Sequence, residues 1–99
     1  MRLTEYQVHQ IKRLTAEVFG SGVDLRLFGS RLDDDKKGGD IDLLVTSPNL
    51  VPDKLGKSLR LTAKLQMVLG DQPIDVLVLD PTTPINPIYE QALSTGAPL

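Results

Sequence analysis

The chain has 99 residues, of which 40% are hydrophobic and 24% charged, a balance typical of a globular protein rather than a disordered one. Its net charge of -2 excludes a general electrostatic attraction to nucleic acid or to an anionic membrane. Cysteine is absent, which excludes disulfides and thiolate metal sites and leaves oxygen ligands for any metal ion. The length predicts a single domain that covers residues 1–99.

Apolar residues at helical spacing predict a first helix over residues 5–19. Thr4 and Gln7 form the pattern of a capping box at its start, and the run Gly20-Ser21-Gly22 ends it. Residues 23–28 then alternate between apolar and polar side chains for most of their length. This alternation predicts a strand with one partly solvated face.

Residues 41–45 predict a second, buried strand, and residues 55–69 predict a second helix that ends at Gly70. We expect the apolar face of this helix to consist of Leu55, Leu59, Thr62, Leu65, Val68 and Leu69. Its other face carries the basic residues Lys54, Lys57, Arg60 and Lys64. These indicate a solvated surface or, as the alternative, a contact with a nucleotide or a partner.

Residues 74–80 predict a third strand, and a short last helix around Ile88 and Ala92 is expected to stop at Gly96. The exposed surface of this last helix is a candidate contact for a partner. Together the elements predict an α/β (α+β) domain with a small mixed β-sheet flanked by helices. No segment has the length and hydrophobicity of a signal peptide or a membrane span, so we expect a cytoplasmic protein.

Two aspartates at the start of the second strand are the first candidate site residues. In a strand, alternate side chains share a face, so Asp40 and Asp42 point the same way. Their carboxylates repel each other unless a cation lies between them. The pattern therefore predicts a site for a hard divalent cation such as Mg²⁺, which prefers carboxylate oxygens.

The expected topology adds further residues to this pair. The first two strands are joined by a loop too short for a crossover helix, so they are predicted to be antiparallel, with Gly29 and Ser30 close to Asp40 and Asp42. A helix joins the second strand to the third, which predicts parallel strands. If these strands are neighbours, Asp75 lies beside the other two aspartates.

Such a cluster has a definite chemical use. Three carboxylates can hold two metal ions in the arrangement that stabilises phosphoryl displacement, and a nucleoside triphosphate supplies the missing ligands. Gly29 allows phosphate to approach the backbone, and Ser30 can donate a hydrogen bond to it. Arg31 could bind the triphosphate or form a structural salt bridge. Asp75 is the candidate to accept the proton of an attacking hydroxyl.

These residues resemble the signature of the DNA polymerase beta superfamily of nucleotidyltransferases. The matching elements are Gly29-Ser30, the spacer 31–39, Asp40-Ile41-Asp42 and the later Asp75. The likeness runs from about Leu25 to Leu79, and the short length is similar to that of the minimal nucleotidyltransferases. The resemblance implies a polymerase beta-like fold, two Mg²⁺ ions held by the three aspartates, and ATP as a substrate.

The resemblance also implies partners and roles. Some minimal nucleotidyltransferases are antitoxins that transfer AMP from ATP to a tyrosine of a HEPN toxin, which makes a HEPN partner and a homo- or hetero-oligomer expectations here. One alternative is a catalytically silent antitoxin that neutralises its partner by binding. Another is a small-molecule enzyme of the aminoglycoside nucleotidyltransferase type, although 99 residues leave little room for an acceptor-binding domain.

Overall fold

The computed structural model describes residues 3–28, 41–84 and 86–99. In chain order the elements are α1 (Glu5–Phe19), β1 (Asp24–Phe28), β2 (Ile41–Thr46), α2 (Lys54–Leu69), β3 (Ile74–Leu79), α3 (Pro87–Thr95) and β4 (Ala97–Pro98). Each predicted helix and strand is present within a few residues of its expected bounds. No helix in the described ranges has the length and hydrophobicity to cross a membrane.

The first helix begins where its capping residues predict. The Thr4 hydroxyl accepts a hydrogen bond from the Gln7 backbone at 3.1 Å, and the Gln7 side chain accepts one from the Thr4 backbone at 2.9 Å. These two bonds satisfy donors that the first turn of a helix leaves free. The helix ends at Gly20, whose φ of 94° favours glycine.

The four strands form one mixed sheet in the order β3-β2-β1-β4. β1 pairs with β2 antiparallel, and β2 pairs with β3 parallel, which confirms both predictions. β4 pairs antiparallel with β1, where Arg26 lies opposite Pro98 and Leu27 opposite Ala97. β4 was not predicted from the sequence, because a strand of two residues, one of them proline, is too short to show a periodic pattern.

The two faces of the sheet are covered by different helices. Helices α1 and α2 pack on the face that carries Ile41, Leu43 and Val45, and all three side chains are fully buried. Further members of this main core are Ile11, Leu14, Val18, Leu25, Leu27, Leu61, Leu65 and Ile74. On the other face, α3 contributes Ala92 to a smaller cluster with Leu44 and Leu79. This second face is therefore the less completely covered one.

The predicted apolar face of α2 was wrong in part. Leu65 is fully buried as predicted, but Leu55 and Leu59 are 72% and 60% exposed, and Leu61 is buried instead. The helix has apolar residues on two sides, and periodicity alone does not decide which side meets the sheet. The helix turns Leu61 and Leu65 toward the sheet, and some of the basic residues lie at the edge of this contact.

The prediction that the last helix contacts a partner around Ile88 and Ala92 is also wrong in part. Ala92 is fully buried against Leu44 and Leu79, so it is a core residue. Ile88 is 50% exposed. Ile88 and the 37% exposed Leu93, but not Ala92, are therefore the apolar side chains of α3 that a partner could contact.

Candidate functional site

The candidate site lies where β2 and β3 begin. Asp42 and Asp75 are direct neighbours in the parallel register, and Phe28 at the end of β1 lies opposite Asp42. The β2-α2-β3 connection produces this alignment, because it makes β2 and β3 parallel and brings their starts to one edge of the sheet. The structure thus confirms the predicted juxtaposition of Asp42 and Asp75.

Both carboxylates lie on the less covered face of the sheet. Strand alternation puts Asp42 on the side of Leu44, and Asp75 on the side of Leu77 and Leu79, away from α1 and α2. Asp42 is partly buried and Asp75 is exposed. The two carboxylates therefore lie side by side on the face of the sheet opposite α1 and α2.

The other predicted site residues cannot be placed in the same way. Gly29, Ser30, Arg31 and Asp40 lie outside the described residues, so their roles stay predictions. The described residues agree with a single shared site. β1 ends at Phe28, directly before Gly29-Ser30 in the sequence, and Phe28 pairs with Asp42.

The donor chemistry of the described pair fits a divalent metal ion. Carboxylate oxygens are the ligands that Mg²⁺ prefers, and two of them at one register can share an ion whose other positions are filled by water or phosphate. Within the described ranges no group of three acidic, histidine or cysteine side chains could hold a metal ion. A three-carboxylate site would need a third carboxylate beside Asp42 and Asp75, for which Asp40 stays the prediction.

A third aspartate in the described chain has a different environment. Asp80 follows β3 and is 5% exposed. Its carboxylate accepts hydrogen bonds from the Val51 backbone at 2.9 Å, from the Thr82 hydroxyl at 2.7 Å and from the Thr83 hydroxyl at 3.0 Å, and Lys54 Nζ lies 3.3 Å away. The Val51 N–H, followed by the Thr82 hydroxyl, lowers the pKa of Asp80 well below its ordinary range.

Asp80 therefore has a structural role that the sequence analysis missed. It ties the segment before α2 to the end of β3, at the edge of the sheet opposite Asp75. Five residue steps along a strand separate the two aspartates by roughly 16 Å. The sequence Asp80-Pro81-Thr82-Thr83 is typical of an Asx turn and could have indicated part of this cluster.

Two cavities lie apart from the aspartate pair. The larger, about 340 Å³, is lined by Thr15 of α1 and by Asp24, Arg26 and Pro98. Asp24 pairs with Thr46, so this cavity is at the far end of β1 from Phe28. A cleft of about 210 Å³ runs beside β3, between α2 and α3. Neither cavity is lined by Asp42 or Asp75.

Comparison with known proteins identifies the family. A family model for the nucleotidyltransferase domain matches residues 8–94. The chain belongs to the nucleotidyltransferase domain family. The matched range includes Asp42 and Asp75, and the assignment confirms the family and the enzyme class predicted from the sequence. No curated protein matches the chain.

A solved structure supports the fold of this nucleotidyltransferase domain. The crystal structure of a mutant of the toxin-antitoxin pair MntA-HpeT is similar with a TM-score of 0.68 and 18% sequence identity. The match covers 97% of this chain and 71% of the other chain. At this identity the likeness shows the fold, and it confirms the predicted α/β architecture.

Proposed function

We propose that the chain is a Mg²⁺-dependent nucleotidyltransferase that transfers AMP from ATP to a hydroxyl group, and that it acts as an antitoxin by modifying a tyrosine of a HEPN toxin. The observation that carries the proposal is the alignment of Asp42 and Asp75 on the face of the sheet opposite α1 and α2. Family membership supports nucleotidyl transfer as the use of this pair.

The proposed metal ligands are Asp40, Asp42 and Asp75, and two Mg²⁺ ions are expected. When bound, the ions would neutralise negative charge on the triphosphate and on the departing pyrophosphate. Gly29, Ser30 and Arg31 are proposed to bind the phosphates. This assignment leaves the buried Asp80 outside the catalytic set.

Asp75 is the proposed general base. It is exposed on its strand, where a hydroxyl group of an acceptor can reach it. Asp75 would accept the proton while the hydroxyl oxygen forms a bond to the α-phosphorus of ATP. The bond from the α-phosphorus to the oxygen that bridges to the β-phosphorus breaks, and pyrophosphate leaves.

A toxin partner is proposed because the similar fold occurs in a structure described as a toxin-antitoxin pair. The acceptor hydroxyl would then belong to that second protein. A hetero-oligomer in the cytoplasm follows from this proposal.

We expect Asp42→Asn to lower the rate of AMP transfer by roughly 1,000-fold, because the stabilisation that a metal ion gives to the transition state is worth several kcal/mol. The assay incubates the chain with ATP labelled at the α-phosphate, Mg²⁺ and the protein encoded beside it. Label on that protein is then measured over time.

Asp24→Asn is the matched control, since it makes the same chemical change at an exposed position at the far end of the sheet. Its rate should equal that of the unchanged chain. Equal labelling by Asp42→Asn and Asp24→Asn would contradict the proposed site. If Asp42→Asn loses transfer but still fully neutralises the co-expressed toxin, binding alone accounts for the antitoxin effect.

A further inference from the structure

The outer face of α2 carries a row of exposed apolar side chains. Leu55, Leu59 and Met67 are 72%, 60% and 86% exposed, and the exposed Ala63 lies between the last two. Their spacing of four residues makes a continuous line on a helix, which we name the α2 ridge. Exposed apolar residues arranged in a row, unlike isolated ones, are typical of a contact surface.

The charged residues of α2 are all positive. Helix α2 contains Lys54, Lys57, Arg60 and Lys64 and no acidic residue, although the whole chain has a net charge of -2. Lys54 is paired with Asp80, and Lys64 with Glu17 at 2.8 Å. In the described part of the chain neither Lys57 nor Arg60 has an ion-pair partner.

Helical geometry puts Arg60 beside the α2 ridge. At the 100° rotation per residue of an α-helix, Arg60 is displaced to one side of the line through Leu59 and Ala63, whereas Lys57 lies roughly 160° from Leu59, on the far side of the helix. A partner that covers the ridge therefore meets positive charge along one border. Negative charge at that border of the partner would be favourable, and positive charge would be unfavourable.

We propose that the α2 ridge binds an amphipathic helix of a partner protein whose apolar stripe is bordered by aspartate or glutamate. A ridge of side chains four residues apart packs between the corresponding ridges of a second helix. A carboxylate of the partner would pair with Arg60. A second copy of α2 fits less well, because it would bring four more cations and no carboxylate to the contact.

This surface is separate from the aspartate pair. Helix α2 covers the sheet face of Leu43 and Val45, whereas Asp42 and Asp75 lie on the opposite face. Partner binding at the α2 ridge would leave the proposed catalytic face open. Identification of the partner with the toxin rests on the proposed function, but the chemistry of the docking helix does not.

The test measures the affinity of the chain for the protein encoded beside it by isothermal titration calorimetry. We expect the double variant Leu59→Ser, Met67→Ser to weaken binding by about 30-fold or more, and Arg60→Glu by about 10-fold. Tyr6→Ser is the matched control, because it removes an exposed ring on α1, away from the ridge, and should leave the affinity unchanged. Melting temperatures and affinity for Mg²⁺ with ATP should be unchanged in every variant.

Several results would overturn the docking proposal. These are unchanged affinity in the ridge variants, no binding by the unchanged chain, ridge-dependent binding to vesicles of anionic phosphatidylglycerol in place of the protein, and ridge-dependent dimers of the chain alone in analytical ultracentrifugation. Loss of AMP transfer with intact ridge-dependent binding would count against the proposed function and support the docking surface. Asp42→Asn should bind the partner as the unchanged chain does.

Discussion

Three described aspartates in or next to β2 and β3 have different roles because their surroundings differ. Asp42 and Asp75 lie side by side at the start of their strands, on the face that α1 and α2 leave open. Asp80 lies past the end of β3, where nitrogen and hydroxyl donors surround its carboxylate. The hydrogen bonds of the Asp80 carboxylate assign it a structural role, whereas Asp42 and Asp75 are the proposed metal ligands.

Asp80 should make the stability of the fold depend on pH. Its pKa is lowered in the folded chain, so its contribution is complete above the pKa of an unfolded aspartate, about 3.9, and is lost as the pH falls toward the lower folded value. We expect Asp80→Asn to be less stable at pH 7 and to lose less stability between pH 5 and pH 3. Urea denaturation at a series of pH values measures both effects.

Asp71→Asn serves as the control for this experiment, since Asp71 is exposed in the turn before β3. Its stability should follow that of the unchanged chain at each pH. If the free energy of unfolding of Asp80→Asn fell with decreasing pH in parallel with that of the unchanged chain, the Asp80 carboxylate would have no special role.

Single residues differ in how far the sequence could predict them. Asp42 and Asp75 were predictable because strand alternation and a parallel crossover need only local patterns. The role of Asp80 was not, since its partners Val51 and Lys54 are 29 and 26 residues away in sequence. Contacts of that kind depend on how the segment before α2 folds onto the sheet.

Among the elements, α2 has two distinct apolar sides. One side buries Leu61 and Leu65 in the main core, and the other exposes Leu55, Leu59 and Met67. Helix α1 was easier to predict, because Thr4 and Gln7 mark its start and a single apolar face follows. A helix with two apolar sides can be located from sequence, but its orientation is decided by packing against the sheet.

A pair of substitutions tests this orientation of α2. Leu61→Ala should destabilise the fold by about 2–5 kcal/mol, because it leaves a cavity in the main core. Leu59→Ala should change the free energy of unfolding by no more than about 0.5 kcal/mol, since its side chain is mostly exposed. Urea denaturation compares the two variants directly, and a reversed order would show that the helix faces the sheet with the other side.

At the scale of the whole molecule, the sheet separates two surfaces with different proposed tasks. One face carries the pair Asp42 and Asp75, and the helix on the other face carries the α2 ridge. Under the two proposals, a nucleotide binds on one side of the sheet and a partner helix on the other.

The aspartate pair is proposed to support transfer of a nucleotidyl group. The most direct measurement compares ATP labelled at the α-phosphate with ATP labelled at the γ-phosphate, using the chain, Mg²⁺ and the partner protein. Only the α-label should reach the partner, pyrophosphate should be released in equal amount, and Asp75→Asn should abolish both. Transfer of the γ-label, or α-labelling that persists in Asp75→Asn, would contradict the proposal.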